Sequence, residues 1–221
     1  MSTAAFMKAF LGLFAMINPI GNAGIFIGIT GDVPTSFKLR AALKTSLAVL
    51  IILELSIFGG MALLEVFGIS IPAFQTAGGL IVLGIGMSMM SGGGNSSHET
   101  DGAKKAIQSV KDKEEIVDDK LIVPLAMPML GGPGAITTVV TVAAAFPTTE
   151  GRIGAAAGTA AMVFLLGLSF ALSGFLSRFM SEHAQEIIMR FMGLILVAIG
   201  MDMMLGGIET SVIKAGVFRA P

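Results

Sequence analysis

Long apolar stretches separated by short polar ones make up most of this chain. Apolar runs occupy residues 4 to 30, 43 to 64, 73 to 91, 121 to 146, 154 to 176 and 187 to 206. Each is close to the roughly 20 residues a helix needs to cross the hydrocarbon of a bilayer. The pattern predicts six transmembrane helices that nearly exhaust the sequence. A membrane β-barrel would instead show segments of about 10 residues with alternating hydrophobicity, and neither Leu47 to Leu53 nor Leu194 to Ile199 alternates. The expected fold class is an all-α membrane protein.

Two of the runs interrupt themselves. The first contains Ile17-Asn18-Pro19-Ile20-Gly21-Asn22. Proline within a helix removes a hydrogen bond and clashes with the preceding turn, while glycine and asparagine tolerate the backbone angles of an unwound turn. The fourth run carries a denser version, Pro124-Leu125-Ala126-Met127-Pro128-Met129-Leu130-Gly131-Gly132-Pro133-Gly134-Ala135-Ile136-Thr137-Thr138. Unpaired backbone groups cost several kcal/mol each in lipid, so such turns persist only when buried in protein or lining a cavity. The first and fourth helices are therefore expected to be discontinuous and to share a cavity. Half-helices present N–H groups at a positive dipole end, which suits a carboxylate, and freed carbonyls at the other end suit an ammonium. A zwitterion fits both.

The breaks belong to a repeat. Gly79-Leu80-Ile81-Val82-Leu83-Gly84-Ile85-Gly86-Met87-Ser88-Met89-Met90 matches the segment from Gly193 to Met204 at eight of twelve positions, 114 residues apart, and the same offset sets Pro19 on Pro133. Arg40 falls near Arg152 at an offset of 112. Three landmarks in the same order read as a duplication. Residues 1–91 form the first three-helix repeat, 92–120 a hydrophilic linker and 121–221 the second three-helix repeat. An odd number of spans per unit turns the second upside down, the inverted-repeat plan of many secondary transporters. The linker opens with Gly and Ser and continues with mixed charge, the composition of a solvated connector.

Composition agrees with a membrane location. Of 221 residues, 54% are hydrophobic and 13% charged, with a mean hydropathy of +0.86, against about 25% charged in soluble domains. Lys8 followed by an apolar run has the look of a signal peptide, but apolar character resumes after Gly24 and no A-x-A-like cleavage site follows. The segment is expected to be the first span. Absence of cysteine removes disulfides and thiolate metal sites from consideration, and Tyr and Trp are absent too. The net charge of −1 points to no nucleic-acid partner. Its distribution is more informative. One side of a six-span protein would receive Lys38, Arg40, Lys44, Lys104, Lys105, Lys111, Lys113, Lys120, Arg178 and Arg190, the other only Lys8, Arg152, Lys214 and Arg219. The positive-inside rule puts the first group in the cytoplasm and both termini outside it.

The paired Ile17-Asn18-Pro19-Ile20-Gly21 and Pro124 to Ile136 segments, in a six-span chain of this length, resemble the MarC family of inner-membrane proteins over almost the whole sequence. The second motif is the more specific. The family takes its name from an antibiotic-resistance locus, but the resemblance implies transport of small neutral amino acids such as glycine and alanine, with an archaeal branch of proton-linked uptake and bacterial members linked to alanine export. Carried onto this chain, it implies a substrate beside Asn18, Pro19, Gly21, Asn22 and residues 131–138, that is Gly131, Gly132, Gly134, Thr137 and Thr138 among them.

Polar residues inside the spans are further candidates. Glu54 stands amid Leu50-Ile51-Ile52-Leu53 and Leu55-Ser56-Ile57. A carboxylate at that depth costs about 2.5 kcal/mol or more, so it marks a functional position by default and is the first choice for a proton carrier. A Glu held protonated in a hydrogen bond is the alternative. Asp202 replaces Ser88 of the first repeat and either caps a polar pathway or reaches interfacial water. Thr137 and Thr138 either donate to a substrate carboxylate or bond back to the preceding turn. Gly154 to Gly158 and Gly24 to Gly28 are small-x-x-x-small surfaces for close helix packing, and the methionines at 87, 89, 90, 201, 203 and 204 read as adaptable packing, not a metal site.

The rival function classes are weaker on these residues. Intramembrane proteolysis needs a Ser with a nearby His, paired aspartates or a zinc motif. Here both His98 and His183 fall in loops, and Asp202 alone among aspartates lies well within a span. No enzyme is expected, nor any cofactor or metal. No Walker-type glycine loop is present, so ATP is not the direct driver. The sequence reads as a secondary transporter of small neutral amino acids in the cell membrane, with protons as a candidate coupling ion. A non-transporting membrane partner protein, or an exporter of another small metabolite, is the alternative.

Overall fold

A computed structural model describes residues 1–30, 35–91, 130–175 and 182–214. The linker 92–120 and the first part of the fourth run, 121–129, lie outside the described residues. Seven helices are described: α1 (Thr3–Ile17), α2 (Pro19–Thr30), α3 (Thr35–Val66), α4 (Ile71–Met90), α5 (Pro133–Ala145), α6 (Thr149–Ala171) and α7 (Glu182–Lys214). Four segments are long and apolar enough to cross a membrane: Lys38–Val66, Ile71–Met90, Thr149–Ala171 and Glu186–Lys214. Two shorter apolar helices, α1 and α5, accompany them. Among the described residues the protein is entirely helical.

Local chemistry sets the helix starts. Ser2, Ser70 and Thr148 sit in extended conformation as N-caps, and their hydroxyls accept from the backbone N–H groups of Ala5, Ala73 and Gly151 at 3.3, 3.3 and 3.1 Å. Each satisfies one of the orphan donors that every helix start leaves. Gly68, with φ of 67°, turns the chain between α3 and α4, a conformation only glycine adopts at no steric cost.

The helices pack with defined directions. A Cβ on Gly154 or Gly158 of α6 would run into the Ser2 and Phe6 carbonyl oxygens of α1, so α1 and α6 run parallel in close contact. The small-x-x-x-small surface from Gly154 to Gly158 thus works inside the bundle. On α5, Thr138 meets Gly12 and Gly134 meets Met16, so α5 is antiparallel to α1. Gly78 meets Thr137 and Gly134 faces Ile85, which makes α4 antiparallel to α5. Ser46 lies against Gly167, and Met61 Sδ accepts from Arg152 Nη2 at 3.9 Å, so α3 and α6 are antiparallel. Phe26 of α2 stacks on Phe170 of α6 with ring centroids 4.5 Å apart. These contacts surround one core in which Leu13, Ile17, Val49, Leu53, Ile57, Leu130, Val139, Met162, Leu166 and Phe170 are buried.

The most extensive seam joins α4 and α7. A Cβ on Gly79 would lie 2.5 Å from Met204 N and 2.6 Å from the Gly200 carbonyl oxygen, and one on Gly193 would lie 2.9 Å from Met90 N and 2.8 Å from the Gly86 oxygen. One on Gly86 would lie 2.6 Å from Val197 N, and one on Gly200 2.5 Å from Leu83 N. Adding 114 to the α4 residue of each contact and subtracting it from the α7 residue turns every contact into its counterpart. Glycine's missing Cβ is what lets the two backbones approach this closely. The same offset separates the starts of α2 and α5, at Pro19 and Pro133, and of α3 and α6, at Thr35 and Thr149. Helix α2 packs on α6 and α7 while α5 packs on α3 and α4, each half-helix resting on the other half of the chain.

Candidate functional site

The first break falls between α1 and α2, at Asn18. This residue adopts the left-handed conformation with φ of 43°, the only non-glycine residue to do so among the described residues. Its neighbours explain the motif. Pro19 takes the first helical position of α2, where its missing N–H would have had no partner. The Asn18 side-chain oxygen accepts from Gly21 N–H at 3.2 Å, and Asn22 Nδ2 donates to the Ile17 carbonyl oxygen, which the break leaves without a helical donor. A Cβ on Gly21 would lie 2.5 Å from Asn18 Nδ2, so glycine is required for the cap to seat. Asn18 is buried, 5% exposed. Both asparagine side chains are thus used in holding the first break, while the Ala15 carbonyl, four residues before Pro19, is left without its helical donor.

The second break is built differently. Gly132 precedes α5 in extended conformation and no side chain caps the helix. Pro133 has no N–H, so the amides of Gly134 and Ala135 are first-turn donors without a helical acceptor. This end opens onto a cleft of about 500 Å³ lined by Gly131, Gly132, Pro133, Ile136 and Thr137, by Ile52 of α3 and by Phe74, Ala77, Gly78 and Ile81 of α4. The two breaks are neighbours: Met16, two residues before Asn18, has its terminal methyl where a Cβ on Gly134 would go. Ile17 and Leu130, one on each break, are buried in the same core cluster.

The remaining candidates divide. Thr137 Oγ1 donates to the Pro133 carbonyl at 2.7 Å, and Thr138 Oγ1 to that of Gly134 at 2.8 Å. Both hydroxyl protons therefore bond back to the preceding turn, and only lone pairs face a ligand. Thr137 lines the cleft; Thr138 packs toward Gly12. Glu54 is half-buried on α3 and does not line the cleft. Asp202 is exposed on α7. The cleft's outer wall was missed by sequence reasoning: Ile52, Phe74, Ala77 and Ile81 are apolar helix positions like any other. One signal was present, the Gly78-Gly79 pair, in which Gly79 faces α7 and Gly78 faces α5.

Comparison with known proteins decides the family. The model described as "MarC family integral membrane protein" matches residues 3–212. The chain belongs to the MarC family. Relatives include the UPF0056 membrane protein YhcE of Escherichia coli (strain K12), 32% identical over 204 residues, covering 92% of this chain and 92% of that protein. The UPF0056 membrane protein PH0760 of Pyrococcus horikoshii is 33% identical over 208 residues, covering 92% and 94%. YvbG of Bacillus subtilis (strain 168) is 29% identical over 203 residues, covering 92% and 93%. No solved structure matches the chain. This MarC-family chain is an integral, multi-pass membrane protein.

Proposed function

We propose that this MarC-family protein is a secondary transporter of small neutral amino acids in the cell membrane, of the glycine and alanine class. Its six spans form two inverted three-helix repeats with discontinuous first and fourth helices. The observation that carries this reading is the uncapped start of α5, which opens onto an otherwise apolar cleft. A substrate carboxylate there would sit at the positive end of the helix, beside Gly132 and Pro133, which line the cleft. The ammonium would be met by the Gly131 carbonyl and by the lone pairs of Thr137, since the Gly132 carbonyl already accepts from Ile136 N–H at 3.0 Å.

The repeat reading is supported by the exchange of the α4–α7 contacts at an offset of 114 and by the matching helix starts. Helix directions also fit alternate threading: α1 and α6 point one way, α5 and α7 the other, with α4 antiparallel to both of the latter. Within this scheme the two breaks divide the work. Asn18, Pro19, Gly21 and Asn22 form a joint braced by its own side chains, while Gly131, Gly132 and Thr137, which line the cleft, meet the substrate and Gly134 is buried against Met16. Glu54 stands off the cleft on α3, a position for carrying a proton beside the substrate path without touching the substrate.

The test is uptake of labelled glycine and alanine into proteoliposomes holding the purified protein, with and without an imposed pH gradient. Saturable uptake that responds to the gradient is expected. In Glu54→Gln the gradient response should vanish while exchange at equal pH persists. Absence of uptake under every gradient by correctly folded protein would overturn the transport reading; an unchanged response in Glu54→Gln would remove the proton role alone.

A further inference from the structure

A second concavity lies between α3 and α6, in the half of the bundle where α3 begins. Leu39, Leu43, Leu47 and Leu50 line it from α3, Phe164 and Leu168 from α6, and its volume is about 510 Å³. None of its lining residues carries a charge. Beside it α3 bears Arg40 and Lys44, both exposed, and no acidic residue between Thr35 and Leu53. We propose that this groove binds an anionic phospholipid of the leaflet at the start of α3, with one acyl chain along the leucine stripe and the phosphate held by Arg40 and Lys44. The proposal is independent of the transport reading.

Depth comes first. Met61 and Arg152 are level with each other, as are Ser46 and Gly167. A span of about 20 residues from the first pair ends near Ala41 on α3 and Leu172 on α6. Arg40 then stands at the headgroup, and Lys44, one turn inside, reaches the same level by extending its side chain along the helix. Arg40 precedes Leu47 by seven residues, which places it on the same helix stripe as the groove wall. From Leu39 to Leu50 the groove runs about 16 Å along α3. One leaflet, half of a hydrocarbon core of about 30 Å, has close to that depth.

Polarity comes second. Ser46 lines the groove, is 8% exposed, and its hydroxyl finds no hydrogen-bond partner among the described residues. Such orphaned buried hydroxyls are uncommon and costly. A Cβ on Gly167 would lie 2.9 Å from Ser46 Oγ, so glycine leaves space beside the hydroxyl. Ser46 lies one to two turns inside the Ala41 level, where the ester carbonyls of a phospholipid follow its phosphate, and an ester carbonyl is the acceptor that the hydroxyl lacks. Charge selects among lipids. Cations at the headgroup attract anionic phosphate, and the positive end of the α3 dipole adds the same sign. A zwitterionic headgroup brings a cation of its own into that field. The seated chain would bridge α3 and α6, which come from opposite halves of the sequence.

The test titrates phosphatidylglycerol and phosphatidylcholine with identical acyl chains onto delipidated full-length protein in detergent, counts bound lipid by native mass spectrometry, and uses thermal melting as the folding control. The wild type is expected to bind one phosphatidylglycerol at least about 10-fold more tightly than phosphatidylcholine. The double variant Arg40→Gln, Lys44→Gln should bring the two lipids level. Ala160→Phe changes no charge and fills the groove from an exposed position on its wall, so it should weaken both lipids. Ser46→Ala should weaken both by about 2- to 10-fold. Equal affinity of the two lipids for the wild type, or an unchanged affinity in a folded Ala160→Phe protein, would overturn the site. Where Ala160→Phe fails its melting control, the double variant decides, and a preference that survives in it overturns the proposal. A dimer that excludes lipid and is lost in Ala160→Phe would give the groove to a second copy of the chain, which also overturns it.

Discussion

At the scale of single residues, the first break depends on a division of labour within Asn18. Its backbone supplies the left-handed turn and its side chain supplies the cap on Gly21 N–H. Substitutions separate the two. Asn18→Gly keeps the turn and loses the cap, a change that costs only a few tenths of a kcal/mol at most N-caps. Asn18→Ala loses the cap and also places a Cβ residue in a conformation that disfavours it, so about 2 kcal/mol is expected. The melting temperature in detergent should fall in the order wild type, Asn18→Gly, Asn18→Ala. An Asn18→Ala protein melting with the wild type would mean that the joint is held by its surroundings and not by this residue. This part of the site was legible in the sequence, because the constraint is local: Asn, Pro and Gly at fixed spacing determine the backbone wherever the chain goes. The fate of Thr137 and Thr138 was not, since both hydroxyl readings use the same residues and only the helix register decides that the protons go to Pro133 and Gly134.

At the scale of elements, the α4–α7 pair is the most extensive contact among the described helices and rests on four glycines at heptad spacing, Gly79 and Gly86 on one helix, Gly193 and Gly200 on the other. Apolar side chains gain little from meeting each other in lipid, so close backbone packing is what holds two such helices together. A side chain at any of the four meets backbone, which cannot rotate away. Gly200→Leu is therefore expected to prevent folding, read as loss of a monodisperse peak on size exclusion and loss of the cooperative melt. Gly84→Leu, at a position where a Cβ meets nothing within 4 Å, should melt close to the wild type. Equal behaviour of the two variants would show that the seam is not tight. The match between the two segments could be read from the chain because the glycines recur in it, but their packing against each other could not, since nothing local says which helix lies opposite. The cleft wall could not, because Phe74, Ala77 and Ile81 differ from their buried neighbours only in what lies opposite them.

At the scale of the whole molecule, the packing directions bring particular chain segments to one end. Ser2 N–H donates to the Glu150 carbonyl at 3.0 Å, Met61 meets Arg152, the Lys8 ammonium lies 5.7 Å from the centre of the Phe146 ring, and Gly207 abuts Pro72. The amino terminus, the turn from Phe67 to Ser70, the α5–α6 junction at Pro147 and the end of α7 thus share one face of the bundle. The starts of α3 and α7, near Thr35 and His183, lie at the opposite ends of their helices. This clustering constrains topology more than charge counting can, because a single labelled position fixes the whole group. Lys38, Arg40 and Lys44 lie near the start of α3 on the far side, so the positive-inside rule predicts that the first face is extracytoplasmic. The chain contains no cysteine, and single replacements can be made without background. Ile69→Cys and Pro147→Cys should react with a membrane-impermeant maleimide added to intact cells, and His183→Cys should react only after the membrane is opened. Labelling of His183→Cys alone in intact cells would invert the topology and leave the fold untouched. Different behaviour of Ile69→Cys and Pro147→Cys would contradict the antiparallel pairing of α3 with α6, and with it the threading on which the six-span reading depends.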